Sequence, residues 1–155
     1  MKKYLPSTKL FTTAEVEIHY TRSPSCEVLY IHSSRDADRI LRTYINLHQL
    51  DLRESFWVML LTNANQVIGI SETARGTIRE VSCNPRCIFQ LALLSNASAI
   101  ILAHNHPSGK LEISRSDMNV TKNIKDLATM MGMTLLDHMI ITSETYVSIA
   151  DEGKL

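Results

Sequence analysis

What the sequence lacks narrows its class first. It has no net charge, because 16 lysines and arginines stand against 16 aspartates and glutamates. Nucleic-acid binders usually show a basic excess or stripe, since phosphate contacts dominate their affinity. A balanced chain gives no electrostatic case for such a partner, and direct DNA binding is not expected. No apolar run is long enough to span a bilayer. Met1-Lys2-Lys3 leads into Tyr4-Leu5-Pro6 rather than into an apolar segment, so no signal peptide is expected. Cysteine is scarce: Cys26, Cys83 and Cys87 form an odd set without C-x-x-C spacing. Cys83 and Cys87 would make half of a cysteine zinc site, but no second pair exists, and they read as reduced, partly buried thiols. A cytoplasmic location follows as an expectation. Repeats, low-complexity runs and interdomain linkers are absent too.

What remains is an ordinary globular composition, 45% hydrophobic and 21% charged. At 155 residues the chain suits one domain with a real core. Met1 to Thr12 reads as an arm, Val16 to Tyr20 as a half-exposed strand, and Val28 to Ile31 as a second strand. Ser34 is the expected N-cap of a helix striped by Ile40, Leu41, Tyr44, Ile45 and Leu47. The run Phe56 to Leu61 reads as a strongly apolar strand, with Val67 to Ile70 as its hairpin partner after the turn Asn63 to Gln66. Thr77 to Ser82 reads as a further strand. Asn84-Pro85 signals a helix start, with Ile88, Leu91, Ala92 and Leu94 on the buried side. Ala99 to Ala103 is a buried strand, and Ser114 opens a helix striped by Val120, Ile124, Leu127, Ala128 and Met131 and stopped by Gly132. Met133 to Ile141 is a last buried strand, with a short edge strand over Tyr146 to Ala150. The alternation in the second half gives an α/β class, a sheet with helices on its faces.

The chemistry gathers after Ala103, in His104-Asn105-His106-Pro107-Ser108-Gly109 followed by Ser114 and Asp117. On extended backbone His104 and His106 point to one side. Two imidazoles and an Asp117 carboxylate suit Zn²⁺, and three protein ligands leave a fourth position for water. Taken separately the parts have plainer readings. Pro-Ser-Gly is turn chemistry, and Ser114 with Asp117 three residues on resembles a capping box. The cap and the ligand readings are compatible. Asn105 and Ser108 are candidates for orienting the loop or the histidines. The zinc-deaminase pattern fails, since there is no H-x-E and no Pro-Cys-x-x-Cys.

The full spacing, H-x-H, seven residues, then S-x-x-D, resembles the metal motif of the JAB1/MPN (JAMM) metalloenzyme superfamily. The string Ala103 to Gly109, with Ser114, Asp117, Thr121 and then Asp137-His138, is similar to its RadC-like branch from about Glu54 to Gly153, and more loosely back to Ser34. The resemblance implies a JAB1/MPN-like mixed β-sheet flanked by helices, with cytidine-deaminase-like layering. It would occupy residues 34–155, behind an arm and strand pair at 1–33. It implies a zinc-dependent hydrolase of peptide or isopeptide-linked protein substrates, with His104, His106 and Asp117 on the metal. Glu54, in Glu54-Ser55-Phe56, takes the family position of the general base and acid, with Glu72 and Glu80 as fallbacks. Ser114 takes that of the oxyanion donor. Asp137 and His138 divide between a buried supporting pair and substrate contacts. The loop Gly109 to Ile113 departs from the RadC pattern, which carries an acidic residue and prolines there. The longer RadC proteins' helix-hairpin-helix region has no counterpart in this sequence. An alternative function for the same resemblance is a non-catalytic, DNA-repair-associated accessory factor.

Overall fold

The apolar runs become the middle of one sheet. The computed structural model describes residues 28–78 and 82–155, and the strand expected over Val16 to Tyr20 lies outside them. Five strands line up in the order β2 (Val67–Arg75), β1 (Ser55–Leu61), β3 (Ala99–Asn105), β4 (Thr134–Ile141) and β5 (Tyr146–Ser148). β1 is antiparallel to both β2 and β3, whereas β3 and β4 run parallel. Every residue of β1 and β3 is buried, as strands covered on both faces require.

Helices supply the covers. α1 (Ser34–Tyr44) lays Ala37, Ile40 and Leu41 over one face, against Trp57, Met59, Ile101 and Ala103. α2 (Pro85–Leu94) and α3 (Arg115–Met130) cover the other face through Ile88, Phe89, Ala92, Ile124 and Ala128, against Val58, Leu60, Ile100 and Leu102. α3 is also the crossover that parallel pairing of β3 with β4 demands. Among the described residues no helix is long and apolar enough to cross a membrane.

Several expectations needed correction at element ends. The N-cap of α1 is Ser33, whose hydroxyl accepts from the Asp36 amide, and Ser34 is the first helical residue. Tyr44 continues the stripe of α1 but is its last residue and is exposed; Leu47 falls beyond the end of that helix, and Leu94 lies on the side of α2 opposite Ile88 and Ala92, so both are exposed as well. Met131, just beyond α3, is exposed too. Tyr30 makes only an isolated bridge to Gln66, so Val28 to Ile31 is not a full strand. β2 runs on to Arg75, five residues past the expected end, because its ladder with β1 continues to Ser55. Thr77, Ile78 and Ser82 are in no strand, and the positions between 78 and 82 lie outside the described residues.

β4 carries an irregularity that decides how its side chains are shared between the two faces. Ile100 pairs with Leu135 but Ile101 pairs with Asp137, so Leu136 is a bulge. Side chains alternate with a strict period of two, so one extra residue reverses the faces beyond it. Leu135 and His138 therefore share the α2–α3 face although they are an odd number of positions, three, apart.

Candidate metal centre

β3 stops where its parallel neighbour stops, and its last residues alternate between the two faces. His104 belongs to the α2–α3 face with Ile100 and Leu102, while Asn105 turns to the other. His106, one step past the strand, returns to the side of His104, as its spacing predicts. The chain then folds through a turn closed by a Gly109 amide to His106 carbonyl bond of 3.0 Å. Gly109 has φ +74°, a conformation that side chains disfavour, so glycine suits the end of this turn. Ser114 caps α3 by accepting from the Asp117 amide at 3.1 Å, and Asp117 Oδ2 accepts from the Ser114 amide at 2.7 Å. This reciprocal cap fixes the carboxylate in one rotamer.

The cap leaves Oδ1 of Asp117 facing the histidines. It lies 3.2 Å from His104 Nε2, which is itself 3.0 Å from His106 Nε2. His106 Nε2 is 3.9 Å from Asp117 Oδ2. Zinc bonds of about 2.0–2.2 Å in a tetrahedron would put neighbouring donors about 3.3–3.6 Å apart. One donor atom from each of the three residues lies within 4.8 Å of the others, near enough for one such ion to be held by all three. Among the described residues no other trio of histidine, cysteine or carboxylate groups comes this close. His104 is 3% exposed, and the three side chains stand on the wall of an open cavity of about 240 Å³.

Each imidazole is aimed by what holds its far nitrogen. His106 Nδ1 donates to the Lys110 carbonyl at 2.8 Å, which leaves its Nε2 lone pair for the cluster. The loop Gly109 to Ile113, different as it is from the RadC pattern, thus supplies a positioning group. His104 stacks nearly parallel on Phe56, at 5.9 Å between ring centres, and its Nδ1 meets His138 Nε2 at 2.9 Å. His138 is fully buried, and that burial holds its pKa well below the ordinary value, so it is neutral. Burial pushes the Asp117 carboxyl up, but hydrogen bonds from His104 and Ser114 outweigh it, and the group stays ionised well below the usual carboxylate range.

The other candidates separate cleanly. Glu54 lines the same cavity as the trio, one residue before β1 begins, with its backbone bonded in both directions to Thr77 and Gly76. Ser114 is on that cavity too, and its hydroxyl, though accepting from Asp117, still has its proton to give. Glu72 faces elsewhere: it pairs with Arg75, whose guanidinium holds its carboxyl below the ordinary value, and lines a cavity behind Trp57. Glu80 lies outside the described residues. Asp137 and His138 are buried and bonded to each other, the His138 amide donating to Asp137 Oδ1 at 2.7 Å, but their side chains part. Asp137 turns to the α1 face, where it accepts from Ser148 Oγ and the Ala150 amide, while His138 turns to the trio. Asn105 does not touch the histidines. Its Oδ1 accepts from the Ser55 amide at 2.7 Å, and its Nδ2 donates to the carbonyls of Leu50 and Arg53 at 2.6 and 2.8 Å. Those bonds hold the peptide groups on either side of Glu54. An asparagine ending an apolar strand was the available signal for this.

Cys83 also lines the cavity, and burial, helped by the nearby Cys87 sulfur, pushes its thiol up to about 11. It is a protonated thiol near neutral pH rather than a ligand thiolate. Timed iodoacetamide labelling at pH 7.5, read by peptide mass spectrometry, is expected to modify Cys83 about 100-fold or more slower than a small thiol of ordinary pKa, since only thiolate reacts.

Comparison with known sequences agrees with this geometry. The sequence family described as "RadC-like JAB domain" matches residues 31–154. The chain belongs to the RadC-like JAB domain family. A relative named "UPF0758 protein" from Flavobacterium johnsoniae is 41% identical over 123 residues, covering 79% of this chain and 52% of the relative. One of the same name from Porphyromonas gingivalis is 38% identical over 152 residues, or 97% of this chain and 66% of the relative. A third, from Photorhabdus laumondii, is 45% identical over 101 residues, 65% of this chain and 44% of its own length. This RadC-like chain therefore spans about half to two thirds of the relatives it matches. Its five-stranded mixed sheet with helices on both faces is the JAB/MPN-like fold that the sequence motif implied.

Proposed function

We propose that this RadC-like domain is a zinc-dependent hydrolase that cleaves amide bonds in peptide or isopeptide-linked proteins. The observation that carries the reading is the convergence of His104, His106 and Asp117 on one point of a cavity that Glu54 and Ser114 also line. Two imidazoles and a carboxylate oxygen would hold the ion, leaving a position open as catalytic zinc sites do. When bound, the ion would polarise the scissile carbonyl and make an attacking water more acidic.

The remaining chemistry belongs to the chain. Glu54 takes the proton that the attacking water gives up as its oxygen bonds to the carbonyl carbon. It then returns that proton to the amine nitrogen as the carbon–nitrogen bond breaks, so the carboxylate ends as it began. Ser114 donates its hydroxyl proton in a hydrogen bond to the oxygen on which negative charge develops. The stacked Phe56 ring gives the buried side of the site an apolar floor and keeps bulk water away from His104.

The test is Glu54→Gln. It is expected to keep about one zinc per chain, because it removes no ligand, and to lower hydrolysis of a peptide or diubiquitin-type substrate about 10²- to 10⁴-fold. Folded, zinc-loaded wild type that cleaves neither class would refute the hydrolase reading. Zinc loss in Glu54→Gln would instead make the glutamate part of the metal set.

A further inference from the structure

His138 takes no part in the proposed hydrolysis, yet it is a fully buried polar side chain on the site's inner wall. Its three neighbours leave little freedom in how its protons lie. Thr121 Oγ1 is 2.6 Å from the backbone carbonyl of Asp117 and 2.6 Å from His138 Nδ1. A carbonyl oxygen can only accept, so the single hydroxyl proton of Thr121 goes to Asp117. Thr121 Oγ1 must then accept from His138, which places the His138 proton on Nδ1. A neutral imidazole protonated at Nδ1 is bare at Nε2, so at the 2.9 Å contact His104 is the donor, through Nδ1. In the neutral His104 that a cation would bind, the lone pair is thereby left on Nε2, the atom facing His106 and Asp117.

We infer that His138 and Thr121 are positioning residues for the metal centre, a one-way hydrogen-bond relay from the Asp117 carbonyl that sets the tautomer of His104 and presents its Nε2 lone pair to a divalent cation. The inference rests on the metal reading of His104, His106 and Asp117. The relay begins on one ligand residue and ends on another, so it ties the first turn of α3 to the end of β3 without using any side-chain atom that faces the ion. Its parts depend on the Leu136 bulge, since without that extra residue His138 would face α1. Partners that fix a ligand imidazole in this way typically carry about 10- to 100-fold in metal affinity.

The experiment has two arms. In the first, zinc affinity is measured by competition with a chromophoric chelator for wild type, His138→Leu, His138→Gln and Thr121→Val, with fold checked by circular dichroism. Glutamine can accept from His104 with its oxygen and donate to Thr121 with its nitrogen, so it keeps the relay's direction. The expected result is a loss of about 10- to 100-fold for His138→Leu, a smaller loss for Thr121→Val, and near-wild-type affinity for His138→Gln. In the second arm, long-range ¹H–¹⁵N correlation spectra of zinc-loaded wild type are expected to show His138 and His104 both protonated at Nδ1. Should His138→Leu fail to fold, this spectrum of the unaltered protein decides alone. Zinc-binding wild type with His138 protonated at Nε2, or a folded His138→Leu with unchanged affinity, overturns the relay while leaving the metal centre standing. Wild type that takes up no zinc overturns both, and is thereby told apart from failure of the relay.

Discussion

Asp117→Asn is expected to abolish stoichiometric zinc binding while keeping the cap of α3, and Ser114→Ala to keep zinc binding while weakening that cap. The two residues share one cap but only one of them faces the histidines. Asparagine keeps an oxygen to accept from the Ser114 amide, so the cap survives, but the charge and the free oxygen opposite His104 are gone. Loss of a direct ligand should cost more than the roughly 10–100-fold typical of an outer partner. Ser114→Ala removes the acceptor for the Asp117 amide, a loss of about 1 kcal/mol, and leaves all three donors in place. Zinc per chain after exhaustive dialysis, read beside a thermal melt, separates the two effects. Comparable zinc in Asp117→Asn and wild type would remove Asp117 from the ligand set. A pH dependence accompanies it. The Asp117 carboxyl is held below its ordinary value, so in the metal-free protein it stabilises the fold above about pH 4, its unfolded pKa. That contribution fades as pH falls toward the folded pKa, and the fading should be missing from Asp117→Asn.

Asn105→Leu should be among the most damaging single changes in the chain, although its volume is nearly conserved. The side chain is 1% exposed, and both of its N–H groups and its oxygen are bonded to three backbone groups. Leucine leaves two carbonyls and one amide without their partner in a site closed to water. At about 1–3 kcal/mol for each stranded group, a loss of roughly 3–6 kcal/mol is expected, a large part of a domain's total stability. The affected groups belong to Leu50, Arg53 and Ser55, so the segment that loosens first is the one carrying Glu54. Urea unfolding measures the stability, and hydrogen exchange at the Ser55 amide reports the local release. A midpoint within about 0.5 M of wild type, roughly 1 kcal/mol for a domain of this size, would show that water replaces the asparagine.

The trio itself was legible because it depends on short-range geometry. Two residues along a strand share a face, and a cap followed three residues on by an acid fixes a carboxylate, while the resemblance to the JAMM motif joined His104, His106, Ser114 and Asp117 into one site. The mixed sheet was legible from apolar runs long enough to be buried on both sides. What could not be seen depends on contacts distant in the chain. Asn105 looked like a partner for the histidines beside it, but a strand's alternation sends it to the opposite face, where it meets residues 50 to 55. The side chains of Asp137 and His138 part because neighbours on a strand face opposite ways, and the bulge at Leu136, which has no pattern in the sequence, decides which face each one takes. Tyr44 fits the stripe of α1 and is exposed all the same, because periodicity says which side faces the core, not where along the axis the helix and the core end.

The Ser114 cap also has a bearing on which ion the site would prefer. With Oδ2 held by the Ser114 amide, Oδ1 is the Asp117 oxygen left without a cap bond, which favours binding an ion through one oxygen over chelation through both. Calcium, which takes six to eight oxygens and favours two-oxygen carboxylates, would gain little here, and magnesium would find one oxygen where it wants an octahedron of them. Two nitrogens and one oxygen would instead suit borderline-soft ions of the late first row, zinc among them. A bond made for helix stability would then also weigh, through coordination number, in the choice of ion.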